Sequence, residues 1–287
     1  MSETDFIGTG AKWVEVDGCR IRYFMAEEPD SPVVLIHGAG IDSALLSYRS
    51  VINPLSKRYR VFAPDLPGYG ESDKPKIRYT TEFYTGFIAH FMDTLGLEKA
   101  SLVGHSMGGA IAMGFALLLP DRVDKLVLVS SYGLGHEIPR RMWASLVLRI
   151  PFLNEILWKS VAYSQWLAKR SLLTLFCDPS IITDGLIAEV QREVRMPGSG
   201  FASRSFQRSE MTRNGLRTGF AEDLGQLACP TLIMHGAQDK IIPLIWAQNA
   251  HELISDSKLC ILDNCGHLPQ REKPEECNQA VLSFLDS

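Results

Sequence analysis

The sequence predicts an α/β protein: a mostly parallel sheet with helices on both faces, interrupted late in the chain by a helical insertion. Three observations predict it. Short, uniformly apolar runs recur, segments of helical periodicity lie between them, and this alternation stops between about 133 and 222.

The elements follow in order. Lys12 to Glu27 alternates in polarity around Asp17-Gly18, a dipeptide suited to the positive φ of a tight turn, and reads as an antiparallel hairpin. After Pro32 comes VVLI, ending in the glycine-rich HGAG. RVFAPD (60–65), ASLVGH (100–105), KLVLVSS (125–131) and PTLIMHG (230–236) repeat the form, and KLCILD continues it. Strands this apolar suit a sheet covered on both faces. Phe83, Phe87, Ile88, Phe91, Met92 and Leu95 make one helical stripe; Cys277, Ala280, Val281, Phe284 and Leu285 make another, with Pro274 near its first turn.

Within the insertion stand Trp143, Trp158 and Trp166, with breaks expected near Pro151, Pro179 and Pro197-Gly198. It carries twelve basic and eight acidic side chains, a net +4 that leaves −8 for the rest of the chain. The expected division is a core domain of 1–133 and 223–287 and a helical cap of 134–222.

Composition narrows the function classes. The 287 residues are 46% apolar and 22% charged with a net charge of −4, so no global basic field favours nucleic acid. The longest mostly apolar run, Gly108 to Leu119, is far short of the roughly 20 residues that cross a bilayer. Stable membrane insertion is not expected. The opening MSETDFIGTG lacks a basic and apolar leader pattern, and a cytoplasmic setting is the expectation. Six scattered cysteines form no CxxC pair and read as reduced.

The chemistry concentrates at GHSMGG. Ser106 falls between a buried strand and a long helix, with Gly104, Gly108 and Gly109 around it, the G-x-S-x-G pattern in its required context. A serine hydroxyl needs a base, and the base needs a carboxylate to hold its tautomer. His267 follows one strand and precedes the last helix, while Asp239 lies just beyond another strand. Asp263 is the rival acid, and Asp65 reads as organising its own turn. Met107 and Ala39, with Gly40 next, are the expected backbone donors to an oxyanion.

With HGAG, PDLPGYGESD, GHSMGG, GAQDKIIP and NCGHLPQREKP in place, the chain resembles the α/β-hydrolase fold superfamily over nearly its full length. The resemblance implies a core of about eight strands and a cap that roofs the serine. Haloalkane dehalogenases and epoxide hydrolases of this fold attack with aspartate, and position 106 is serine. At SSYGLG and FCDPSIITDGLIAEV the chain is also similar to the C–C hydrolases of meta-cleavage products. Those enzymes carry asparagine before the serine, where His105 stands, tryptophan after the histidine, where Leu268 stands, and a cap arginine where AEVQREV places valine or glutamine.

A carboxylic-ester hydrolase therefore ranks first, a C–C hydrolase second, and a ligand-binding receptor on a hydrolase scaffold is the rival of another class. Gly40, His105, Trp143 and Leu268 are the expected contacts to a small-molecule substrate. No cofactor or metal is called for, and the oligomeric state, including a homodimer, stays open.

Overall fold

The computed structural model describes residues 10–26, 30–137, 151–212 and 215–287. The expected contact Trp143 lies outside the described residues.

The hairpin forms as expected. β1 (Ala11–Val16) and β2 (Cys19–Met25) pair antiparallel around Asp17 and Gly18, both at positive φ. β3 (Pro32–Ile36), β4 (Arg60–Pro64), β5 (Ala100–His105), β6 (Val123–Val129), β9 (Thr231–Gly236) and β10 (Ser257–Leu262) complete an eight-stranded sheet, in the order β1-β2-β4-β3-β5-β6-β9-β10. β2 meets β4 antiparallel, and every pair from β4 onward is parallel.

Successive residues of a strand point to opposite faces, and both faces are apolar, hence the unbroken hydrophobic runs. Leu35, Val61, Val103, Val127 and Leu232 face α1 (Ala44–Ser56) and α10 (Pro274–Leu285). Val34, Ile36, Phe62, Leu102, Leu126 and Ile233 face α2 (Thr81–Thr94), α3 (Met107–Leu118) and α8 (Leu244–Leu253). Each such side chain contributes roughly 1.5–3 kcal/mol when fully buried. Ser43 and Thr80 cap α1 and α2 by accepting the amides of Leu46 and Phe83. α10 opens on Pro274, whose missing N–H costs a first helical turn nothing.

Between β6 and β9 the described chain is mainly helical: α4 (Pro151–Tyr163), α5 (Gln165–Leu172), α6 (Asp184–Arg195) and α7 (Phe201–Glu210). Pro179 opens a short 3₁₀ turn, and Pro197-Gly198 separates α6 from α7. The described ladder here is a hairpin of two residues a side, β7 (Met211–Thr212) and β8 (Gly215–Leu216). Ala162, Ala168, Leu172, Leu186, Val190 and Val194 form an apolar cluster that reaches the main body through Leu46. Ala202 and Phe206 of α7 instead join the main core. A short helix α9 (Pro269–Glu272) precedes α10.

Candidate active site

Ser106 occupies the one-residue gap between β5 and α3 at φ 52° and ψ −116°, a conformation that non-glycine residues hold only under constraint. Its amide donates to the Val129 carbonyl at 3.0 Å, and its carbonyl accepts from Gly109 and Tyr132, each at 3.0 Å. The glycines around it are required by closeness. A Cβ on Gly104 would run into the Gly108 carbonyl, and one on Gly108 into the Ile36 carbonyl. Strand and helix nearly touch here, which lifts the serine beyond the strand end. The first amide of α3, that of Met107, has no intrahelical acceptor.

His267 and Asp239 converge on this point. His267 Nε2 lies 3.0 Å from Ser106 Oγ and its Nδ1 lies 2.7 Å from Asp239 Oδ2. Asp239 Oδ1 accepts from the amides of Ile241 at 2.7 Å and Ile242 at 3.1 Å, so each carboxylate oxygen has its own partner. Burial pushes the Asp239 carboxyl up, but the neighbouring His267 and its hydrogen bond outweigh that and leave it below the ordinary carboxylate value. Asp263 is exposed in the turn after β10. Asp65 is fully buried, paired with Arg22 at 2.7 Å and accepting from the Ala44 amide at 2.9 Å and, within its own turn, from the Glu71 amide at 3.0 Å.

The His267 loop is held from several sides. Its amide donates to the Leu175 carbonyl at 2.7 Å, and its carbonyl accepts from His105 Nε2 at 2.9 Å. Glu272 accepts from the Gly266 amide at 2.6 Å and from the amides of Cys177 and Asp178 at 2.7 and 2.6 Å. One carboxylate therefore joins the histidine loop to the inserted helices.

The HGAG loop is set from below. Asp42 accepts from the Gly38 amide at 2.8 Å and from Ser47 Oγ at 2.8 Å, and the Gly40 amide donates to Ser203 Oγ at 3.2 Å. Burial would raise the Asp42 carboxyl, yet the neighbouring imidazoles of His105, 3.8 Å away, and His37 bring it below its ordinary value. Asp42, Ser203 and Glu272 were not singled out in the sequence. Asp42 lies two residues past HGAG, Glu272 sits inside a motif whose histidine draws attention first, and Ser203 has no local signal, since its partner is 163 positions away.

Two cavities meet at this centre. One, about 240 Å³, is lined by Ser106, Met107, Ala39, Gly40, Tyr132, Phe206, Glu210, Ile241 and Ile242 among others. The second, about 60 Å³, is lined by Ala39, Ile41, Leu46, His105, Leu172, Val190, His267, Leu268 and Arg271 among others. Of the expected substrate contacts, Gly40 borders the first, and His105 and Leu268 the second.

A family model described as the alpha/beta hydrolase fold matches residues 31–151. Over 261 residues the chain is 31% identical to 2-hydroxy-6-oxo-2,4-heptadienoate hydrolase of Pseudomonas putida, covering 89% of each sequence. The chain is an α/β hydrolase. Among solved structures, this α/β hydrolase is similar to a meta-cleavage product hydrolase from Pseudomonas fluorescens, with a TM-score of 0.82, 30% identity and 98% of both chains covered. A membrane phospholipase A described as a bacterial virulence factor gives a TM-score of 0.82 at 26% identity, over 99% of this α/β hydrolase and 88% of that chain. No helix among the described residues of the α/β hydrolase is long and apolar enough to cross a membrane.

Proposed function

We propose that the protein is a serine hydrolase that cleaves carboxylic esters through an acyl-enzyme. The observation that carries this reading is the continuous contact from Ser106 Oγ through the His267 ring to Asp239. His267 Nε2 takes the proton from Ser106 as the hydroxyl attacks the ester carbonyl, and Asp239 stabilises the imidazolium. The amides of Ala39 and Met107, both bordering the larger cavity beside Ser106, receive the oxyanion. His267 then protonates the departing alcohol, and water activated by the same ring releases the acid.

The serine borders the 240 Å³ cavity and the histidine the smaller one. The acyl group therefore belongs in the larger chamber. The leaving group, which must reach the His267 proton, belongs on the other side.

The leaving-group side supports an ester over a dienoic acid. Leu46, Leu172, Val190 and Leu268 line it, and Arg271 at its edge already contacts Glu189 at 3.3 Å. Three of the inserted arginines are engaged elsewhere: Arg192 with Glu71 at 2.8 Å, Arg195 with the Ala162 carbonyl at 2.6 Å, and Arg204 against the Trp158 ring. A substrate carboxylate would find little to hold it. C–C cleavage of a vinylogous diketone acid is the second reading, favoured by the relatives named above and by Arg271 as the cation bordering that chamber.

A screen of p-nitrophenyl esters of increasing acyl length beside a vinylogous diketone acid tests the order. Ester turnover well above cleavage of the diketone acid is expected, with fluorophosphonate labelling that disappears in Ser106→Ala. Preferential cleavage of the diketone acid reverses the two readings. Tight ligand binding with negligible turnover of either would favour the receptor.

A further inference from the structure

The larger chamber holds a carboxylate that the ester mechanism does not use. Glu210, the last residue of α7, is only 2% exposed and borders the same cavity as Ser106. It is the only carboxylate or cationic side chain among that chamber's described lining residues. Its bonds all come from donors: Tyr132 Oη at 3.1 Å and the Thr218 amide at 3.0 Å to Oε2, and Thr81 Oγ1 at 3.4 Å to Oε1. No lysine or arginine among the described residues pairs with it.

A carboxylate offers about four acceptor positions, and two firm bonds plus one long contact leave Oε1 under-used. Burying an acceptor-only anion without a cation is unfavourable unless hydrogen bonds compensate. The hydroxyl of Tyr132 is already spent on Glu210, and the Gln207 side chain is the chamber's other polar wall group besides Ser106. Glu210 thus borders the chamber with acceptor capacity still unspent.

We propose that Glu210 sets acyl specificity, selecting acyl groups whose far end carries an O–H or N–H donor and rejecting those that end in a carboxylate. This rests on reading the larger cavity as the acyl chamber. A methyl terminus would leave the acceptor unanswered. A carboxylate would add a second anion beside it, and a hydroxyl or ammonium completes its coordination.

The test separates binding from turnover. Equilibrium binding to the Ser106→Ala protein is measured by calorimetry with methyl ketones of one chain length ending in methyl, hydroxyl, ammonium or carboxylate. The expected result is at least tenfold tighter binding of the hydroxyl- or ammonium-tipped ketone than of the methyl-tipped one, with the carboxylate-tipped one weakest. Preference for ammonium over hydroxyl would identify a cationic acyl group, and the reverse a neutral donor.

Adding Glu210→Gln should reduce the ammonium preference at least fivefold. Tyr132→Phe, which frees an acceptor position instead of removing one, should preserve or raise it. Equal affinities for the four ketones, or a preference that survives Glu210→Gln, overturns the proposal. Moving the same donor between the acyl and alcohol halves of a matched ester tests the chamber assignment separately, since a misassigned chamber shifts the kinetic preference to the alcohol half while leaving ketone selectivity in place.

Discussion

His105 Nε2 donates to the backbone carbonyl of His267 at 2.9 Å, so the residue preceding Ser106 fixes the main chain of the residue proposed to activate it. The two rings lie 5.0 Å apart. The sequence suggests a substrate contact for His105. It does border the smaller cavity, but its polar atoms face Ser47, Asp42 and the His267 carbonyl.

Replacing His105 with phenylalanine keeps most of the ring volume and removes the donor. A buried carbonyl left unpaired costs about 1–3 kcal/mol, so melting should fall. Because the loop that loosens carries the proposed base, kcat should drop on the order of tenfold while KM changes little. Steady-state kinetics beside thermal denaturation checks this. A kcat equal to wild type with lowered stability would reduce the bond to a structural one.

Two buried histidines and one half-buried glutamate set opposite pH trends in stability. Burial pushes His105 and His235 below the ordinary imidazole value, so the unfolded chain binds protons that the folded one resists. Their effect is destabilising as pH falls below about 6.5. Glu193 is raised to about 7 by burial and by Asp65. Its contribution is complete below the unfolded value of about 4.3 and is lost as pH rises through about 7. The melting temperature should therefore decline on both sides of an optimum. Glu193→Gln should flatten the alkaline limb, with the gain over wild type growing from pH 5 to 8. A variant whose alkaline limb runs parallel to wild type would refute the assignment.

The meeting of Ser106, His267 and Asp239 and the layers of the fold were legible because each rests on local chemistry: apolar runs between turn residues, small residues at an elbow, and the chain order serine, aspartate, histidine. The supports were not. Ser203 meets Gly40 and Tyr132 meets Glu210 across 163 and 78 positions, and nothing in either local sequence encodes the partner. The same holds for α7, which the charge pattern groups with the other inserted helices. Ala202 and Phe206 nevertheless pack into the main core, because side-chain packing, not segment order, decides which core a helix joins.

The choice between Asp239 and Asp263 is open to a direct comparison. Asp239→Asn removes the acceptor 2.7 Å from His267 Nδ1 and should lower kcat by about 10⁴ with the fold intact. Exposed Asp263, changed to Asn, should leave kcat near wild type and stability within about 0.5 kcal/mol, as for surface substitutions away from a site. Parallel kinetics on the two variants decides it, and a large loss in the second alone would transfer the acid role to Asp263.

Ser203 supplies the last prediction. Its Oγ accepts the Gly40 amide at 3.2 Å, and Gly40, at φ 91°, follows the Ala39 amide proposed to meet the oxyanion. Ser203 lies on α7, so the bond runs from an inserted helix to the oxyanion loop. In Ser203→Ala the Gly40 amide loses its partner, at a cost of about 1 kcal/mol, and the loop gains freedom where fixed geometry matters most. A preorganised donor is effective only while it is aimed at the developing charge. The expected result is a fall in kcat of about three- to tenfold, with a parallel slowing of fluorophosphonate labelling at Ser106, since both reactions place negative charge against the same amides. Lowered thermal stability with unchanged kcat and labelling would mean that the bond only fastens α7 to the body, and that the loop holds its shape through Asp42 alone.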